Sequence, residues 1–189
     1  FFSVYDKIVN EDIIPVANRI KAMATDVELV LPSGKTHPYH SVILRASSEF
    51  FEQLLSDKFN TPERIELKDF SDDLWLLALD FMYETSIRKS QVTIEQLLDL
   101  CVLGDKFLVF QLVSVAVRVL CTMLEDDYCH FVKPYLISVM SLVLFFDGKE
   151  PDCIARADMQ FLWLTVTEYI RTHWHDFIDC EDFLIEYAN

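Results

Sequence analysis

A mostly helical α+β fold, with a small β-sheet flanked by helices, is what this sequence predicts, and three observations predict it. Only three Gly and six Pro occur in 189 residues, while Leu, Phe and Val are abundant, so helices outnumber tight turns. Long stretches carry apolar residues at spacings of three and four, the repeat of one helix face. The stretch from Asp26 to His40 changes period and alternates, as a half-buried strand does. With 52% hydrophobic residues, the chain has the means to bury a substantial core.

Each element follows from local chemistry. Tyr5 to Ala24 is amphipathic at helical spacing, with Ile13, Val16, Ala17 and Ile20 on one side and Pro15 either opening the main helix or kinking it. DVELVL (26–31), the turn PSG and KTHPYH (35–40) form a β-hairpin, because the residue before a proline avoids the helical region. SVILRASSEFFEQLL (41–55) places Val42, Leu44, Phe50, Phe51, Leu54 and Leu55 at spacings that suit two short helices. They break near Ser47 and Ser48, either of which can cap the second. RIEL (64–67) is a short strand, and Ser71 caps a helix whose first turn holds Asp72 and Asp73 at the positive end of the macrodipole. Thr93 and Gln96 offer a capping box, and Val92 with Leu97 a staple, to a helix over Ile94–Leu103. Phe107–Leu124 is predicted as one further apolar helix, and Glu125–Asp127 marks a boundary. Beyond it three helices are expected: about Cys129 to Phe146, Ala157 to Phe177, and a short one beginning near Cys180. Val27, Leu29, His40, Leu44, Phe50, Leu97, Leu100 and Cys101 are expected to share one core.

Charge and cysteine usage exclude whole classes of function. A formal net charge of −15 repels polyanions, and no basic cluster interleaved with aromatics offsets it, so neither nucleic acid nor an anionic membrane is an expected partner. The five cysteines, Cys101, Cys121, Cys129, Cys153 and Cys180, are scattered without a C-x-x-C pair and read as reduced thiols of an intracellular protein, cytoplasmic or nuclear. Tyr135–Phe146 is uncharged but shorter than the roughly 18 to 20 residues that span a bilayer. No signal peptide opens the chain and its first residue is Phe1, so a fragment of a longer protein is expected.

Candidate catalytic and metal groups do not assemble into a site. His37 and His40 straddle Pro38 in extended chain with no Cys, Asp or Glu at a ligand spacing, and His173 and His175 lie two apart on a helix, on different faces. Cys129 beside His130 is the sole adjacent thiol–imidazole pair, and neighbouring helical side chains diverge. Neither a G-x-S-x-G, a phosphate loop nor a dinucleotide fingerprint occurs. Trp75, Trp163 and Trp174 read as core aromatics rather than the walls of a cofactor pocket. No cofactor, metal or enzymatic activity is expected, and function falls to surface shape.

The order helix, hairpin, helical corner, strand, capped helix, helical pair resembles the BTB/POZ fold over roughly Val16 to Leu124. The residues carrying the resemblance are Asp26-Val27, Gly34, His40, Val42-Ile43-Leu44, Ala46-Ser47, Phe50-Phe51, Phe81 with Tyr83, and the stretch VTIEQLLDLCVLGDKFLVFQL (92–112). Three positions depart from the family pattern: His37 where Phe is frequent, Ser41 where Lys or Arg follows the His, and Arg45 where a small residue is common. Asp26 matches the acid of a charged pocket found at the dimer groove of some BTB repressors, whose basic partner is replaced here. By the same resemblance His40 closes the strand-to-helix corner, and His37 faces out of the hairpin or packs in place of an aromatic. Glu168–Ala188 resembles the opening of a BACK region.

The resemblance implies two units, a BTB domain over 1–124 that includes an N-terminal dimerisation helix, and a BACK-like helical extension over 125–189. It implies a homodimer formed through Ile13, Val16, Ala17 and Ile20. It further implies a substrate adaptor of a cullin-3 ubiquitin ligase, with Leu55, Asp57, Phe59 and Tyr83 meeting cullin-3 and an unknown substrate held by a domain outside this chain. Phe59-Asn60-Thr61 aligns with the family's cullin motif of an apolar residue, any residue, then Glu, so Phe59 supplies the apolar anchor and Thr61 replaces the Glu. The alternatives are an oligomerisation scaffold or transcriptional-repressor module that does not bind cullin, and a relative of Skp1 or elongin-C.

Overall fold

The alternation at residues 27–30 seeds the sheet: Val27, Leu29 and Val30 are buried while Glu28 faces water. A computed structural model of the chain describes residues 13–56, 64–125, 135–147 and 155–172. In chain order its elements are α1 (Ile13–Lys21), β1 (Val27–Val30), β2 (Thr36–Tyr39), α2 (Ser41–Ser47), α3 (Glu49–Leu54) and β3 (Arg64–Glu66). They continue with α4 (Asp72–Glu84), a 3-10 turn (Lys89–Gln91), α5 (Ile94–Lys106), α6 (Phe110–Glu125), α7 (Leu136–Asp147) and α8 (Ala155–Thr172). The predicted mostly helical fold with a small sheet is the one observed. The expected helix near Cys180, together with Asp57, Phe59, Thr61, Cys129, His130, Cys153 and residues 173–189, lies outside the described residues.

β1 and β2 pair antiparallel, Val27 opposite Tyr39 and Leu29 opposite His37. Gly34 makes their turn possible with φ of 85°, a left-handed conformation that costs glycine little. β3 lies parallel to β1 on its other side, giving the order β2-β1-β3. A parallel neighbour needs a crossover, and α2 and α3 lie in the chain between these strands.

The predicted caps are all present. Ser48 breaks α2 from α3 and its Oγ accepts from Phe51 N at 3.1 Å. Ser71 accepts from Leu74 N at 3.3 Å, and Thr93 and Gln96 form the reciprocal capping box that opens α5. Each satisfies a first-turn N–H that the helix itself cannot.

Two expectations are corrected. Phe107 does not open a helix running to Leu124; it ends α5, and α6 begins at Phe110. The break arises because Leu108 takes a left-handed φ of 52° while the Phe107 ring turns into an aromatic cluster, 4.7 Å from Trp75, 5.2 Å from Phe50 and 6.2 Å from Phe51 between centroids. Phe50, expected in the core, is 36% exposed, because it packs one edge on Phe107 from the rim of that cluster. The other expected core residues are buried, His40 included.

α7 packs on α5, and α8 packs on α6 and α7. Leu136, Val139, Leu162 and Val166 join the same apolar core as Leu97 and Leu112. Asp158 ties α8 to α6, accepting from the Ser114 hydroxyl and from Arg118 Nε at 2.9 Å.

Candidate protein-interaction surface

The strand-to-helix corner after β2 is assembled from three layers of polar contact. Asp26, just before β1, reaches across to the start of α2, where its carboxylate accepts from Ser41 N at 2.7 Å and from Ser41 Oγ at 2.6 Å. That supplies the cap that His40, the residue preceding α2, does not make with its own side chain. The Ser41 hydroxyl, against a weaker opposing effect of burial, holds the Asp26 carboxyl below the usual carboxylate range. The position where the family pattern has a cation is thus filled by a serine, and the acid is satisfied within the chain.

Behind this cap His40 is buried with Nδ1 2.6 Å from the Tyr83 hydroxyl. Its Nε2 is also buried and has no hydrogen-bond partner among the described residues. The Tyr83 ring meets His40 edge-on at 5.8 Å and lies 4.6 Å from Tyr39, whose hydroxyl donates to the Leu79 carbonyl at 2.6 Å. Burial pushes both phenols up in pKa. His40 therefore fastens β2 and α2 to α4, the corner role expected of it. His37, two residues before Tyr39 and on the same face of β2, is half-buried and tilted against it at 6.4 Å.

The third layer fixes α1. Lys21 Nζ lies 2.7 Å from Asp80 and 3.0 Å from Glu84, two carboxylates one turn apart on α4, and 5.3 Å from the Tyr83 ring centroid. Burial opposes the ammonium charge, but the two carboxylates outweigh it and its pKa lies above the ordinary lysine value. The signal for this clamp was present in the sequence as an i, i+4 acidic pair, although nothing in it named Lys21 as the partner.

The residues expected at interfaces separate into surface and core. On α1, Ala17 is 1% exposed, Val16 is 49% exposed and Ile20 is half-buried; Ile13 lies in α1. Ala17 thus belongs to the chain's own core, and the outward apolar face is Val16 with the edge of Ile20. Of the expected cullin contacts, Leu55 is 1% exposed and supports the core, Tyr83 is half-buried at the corner, and Asp57 and Phe59 lie outside the described residues. Cys101 and Cys121 are buried, and burial raises the Cys101 thiol pKa, which leaves it unreactive. Among the described residues no group of three or more His, Cys, Asp or Glu is placed to hold a metal, and no helix is long and apolar enough to cross a membrane.

A family model, the BTB/POZ domain, matches residues 18–124, more than half of the chain. The chain belongs to the BTB/POZ family. Among solved structures it is similar to the BTB (Tramtrack and Bric a brac) domain of human gigaxonin, with 23% identity, 55% of this chain and 83% of that one covered, and a TM-score of 0.46. It is likewise similar to the BTB domain of zebrafish PATZ1, with 23% identity, 56% and 83% coverage, and a TM-score of 0.46. No curated protein matches. The BTB match ends at the C-terminal part of α6, so α7 and α8 lie beyond it while packing on its last helical pair. A BTB domain is a protein-interaction fold, and membership implies protein partners and self-association in general.

Proposed function

We propose that this BTB chain is a self-associating substrate adaptor of a cullin-3 ubiquitin ligase, its substrate held by a domain outside the residues given. The observation that carries the reading is a BTB domain whose last two helices continue into a packed helical extension, α7 and α8 on α5 and α6, which we assign as BACK-like. Self-association uses the outward face of α1, where Val16 stands exposed beside Ile20. The cullin-3 contacts assigned are Phe59, Asp57 and the rim of Tyr83, with Leu55 acting through the core in which it is buried. Titration calorimetry with the N-terminal region of cullin-3 tests this: binding is expected, and Phe59→Ala is expected to cost about 2 kcal/mol or more, as aromatic anchors do. Light scattering should find dimers that are lost when residues before Asp26 are removed.

A second reading, an oligomerisation scaffold that binds no cullin, is favoured by two observations. Leu55 is unavailable to a partner, and Thr61 replaces the Glu of the family motif. Folded chain giving neither heat nor competition at concentrations on the order of tens of micromolar selects that reading.

A further inference from the structure

α1 is nine residues long, shorter than the roughly 12 to 15 at which an isolated helix becomes even marginally stable in water. Its packing against α4 therefore has to hold it. Over Val16–Lys21 the one buried side chain is Ala17, while Val16, Asn18 and Arg19 are exposed and Ile20 and Lys21 are half-buried. Ala17 brings a single methyl group to the core, the least that an apolar side chain can bury. The link to β1 adds no further anchor, since Ala22, Met23, Ala24 and Thr25 are all exposed.

The α4 side of the contact is built differently. Asp80, Tyr83 and Glu84 share one helix face at i, i+3 and i+4. Tyr83 is fixed from behind, its hydroxyl 2.6 Å from His40 Nδ1 and its ring 4.6 Å from that of Tyr39. Two carboxylates one turn apart repel each other unless a cation stands between them. Lys21 supplies that cation, with Nζ 2.7 Å from Asp80, 3.0 Å from Glu84 and 5.3 Å from the centre of the Tyr83 ring. A lone exposed ion pair contributes little, but one ammonium shared by two carboxylates and an aromatic face forms a network. The Lys21 and Glu84 side chains are 29% and 21% exposed, so water screens this contact only in part.

We propose that Lys21 is an electrostatic latch: its charge, more than apolar burial, keeps α1 seated on α4, and screening by salt or loss of that charge releases the helix while the rest of the domain stays folded. Release takes Val16 and Ile20 out of their fixed orientation, so the latch regulates self-association. That consequence rests on the reading above that copies meet through the outward face of α1, whereas the latch itself does not.

Hydrogen exchange of the Ala17–Ala22 amides tests the latch in the intact chain. Lys21→Met keeps a long flexible side chain and removes the charge. It is expected to speed exchange in α1 on the order of tenfold and to leave the amides of α5 unchanged. Arg19→Met is the control, because Arg19 shares the last turn of α1 with Lys21 but is exposed and outside the network. Losing its favourable interaction with the helix dipole is expected to change exchange less than about threefold. Asp80→Asn with Glu84→Gln should match Lys21→Met, and adding Lys21→Met to that pair should change exchange less than about twofold further. Raising NaCl from about 0.05 M to about 1 M, where the Debye length is ~3 Å, should speed α1 exchange in the unsubstituted chain and not in Lys21→Met. Protein concentrations about tenfold apart separate protection by association, which depends on concentration, from protection by the latch. If the α5 amides of Lys21→Met lose protection as well, so that the fold itself is lost, Asp80→Asn, at an exposed position, takes its place. Unchanged α1 exchange in Lys21→Met, or an equal rise in Arg19→Met, overturns the latch. Light scattering on the same variants reads the consequence, with self-association of Lys21→Met expected to weaken about tenfold. Faster exchange without weaker association upholds the latch and refutes α1 as the face where copies meet.

Discussion

Ser48 holds two elements together with one oxygen, and replacing it by Ala exposes how much that oxygen contributes. Its side chain accepts from Phe51 N at 3.1 Å, capping α3, and donates to the Phe107 carbonyl at 2.6 Å, fastening α3 to the turn between α5 and α6. The residue is 3% exposed, so water does not replace either bond. Loss of a cap costs about 1 kcal/mol, and a buried group left without its partner costs about 1 to 3 kcal/mol more. Ser48→Ala is therefore expected to destabilise the fold by about 2 to 4 kcal/mol, a Tm decrease on the order of 10 °C for a chain of this size. Ser71→Ala is the internal reference: Ser71 caps α4 in the same way at 3.3 Å but is exposed, so only the cap is lost, about 0.5 to 1 kcal/mol. Urea unfolding followed by circular dichroism at one fixed protein concentration measures both, since association makes stability depend on concentration. Equal midpoints for the two variants would refute the assignment of Ser48 as a tie between α3 and the Phe107 turn.

Three further outcomes are expected. Asp26 has its folded-state pKa lowered by Ser41, so it contributes stability above its unfolded pKa, near about 4, that is lost as pH falls through the folded value. Asp26→Asn should accordingly flatten the acid limb of urea midpoints measured between neutral pH and about pH 3; an unchanged slope counts against the Asp26–Ser41 bond. Gly104→Ala should destabilise despite its better helix propensity, worth about 0.8 to 1 kcal/mol, because the new Cβ would stand 2.7 Å from Val113 Cγ2 and 3.2 Å from the Val109 carbonyl. Overpacking of this kind costs about 1 to 3 kcal/mol, and a thermal melt that rises in Gly104→Ala contradicts the close approach of α5 and α6. Leu97→Ala, at a position with no exposed surface, should lose about 2 to 5 kcal/mol in the same unfolding assay, and an unchanged midpoint would remove Leu97 from the core.

What the sequence by itself determined was local. The hairpin follows from a period of two and from Gly34, the break between α2 and α3 from the Ser47-Ser48 step, of which the structure uses Ser48, and the starts of α4 and α5 from Ser71 and from Thr93 with Gln96, because each signal acts on backbone groups a few residues away. The tertiary structure decided everything that joins distant residues. Periodicity places Leu55 on an apolar face, but only packing makes that face core rather than interface, and the same limit hid the exposure of Phe50. The parallel pairing of β3 with β1, the left-handed turn at Leu108 and the Lys21 clamp on Asp80 and Glu84 each depend on partners that the fold supplies. A local pattern fixes which way a side chain points, while its neighbours there are set by the free energy of the whole packed core.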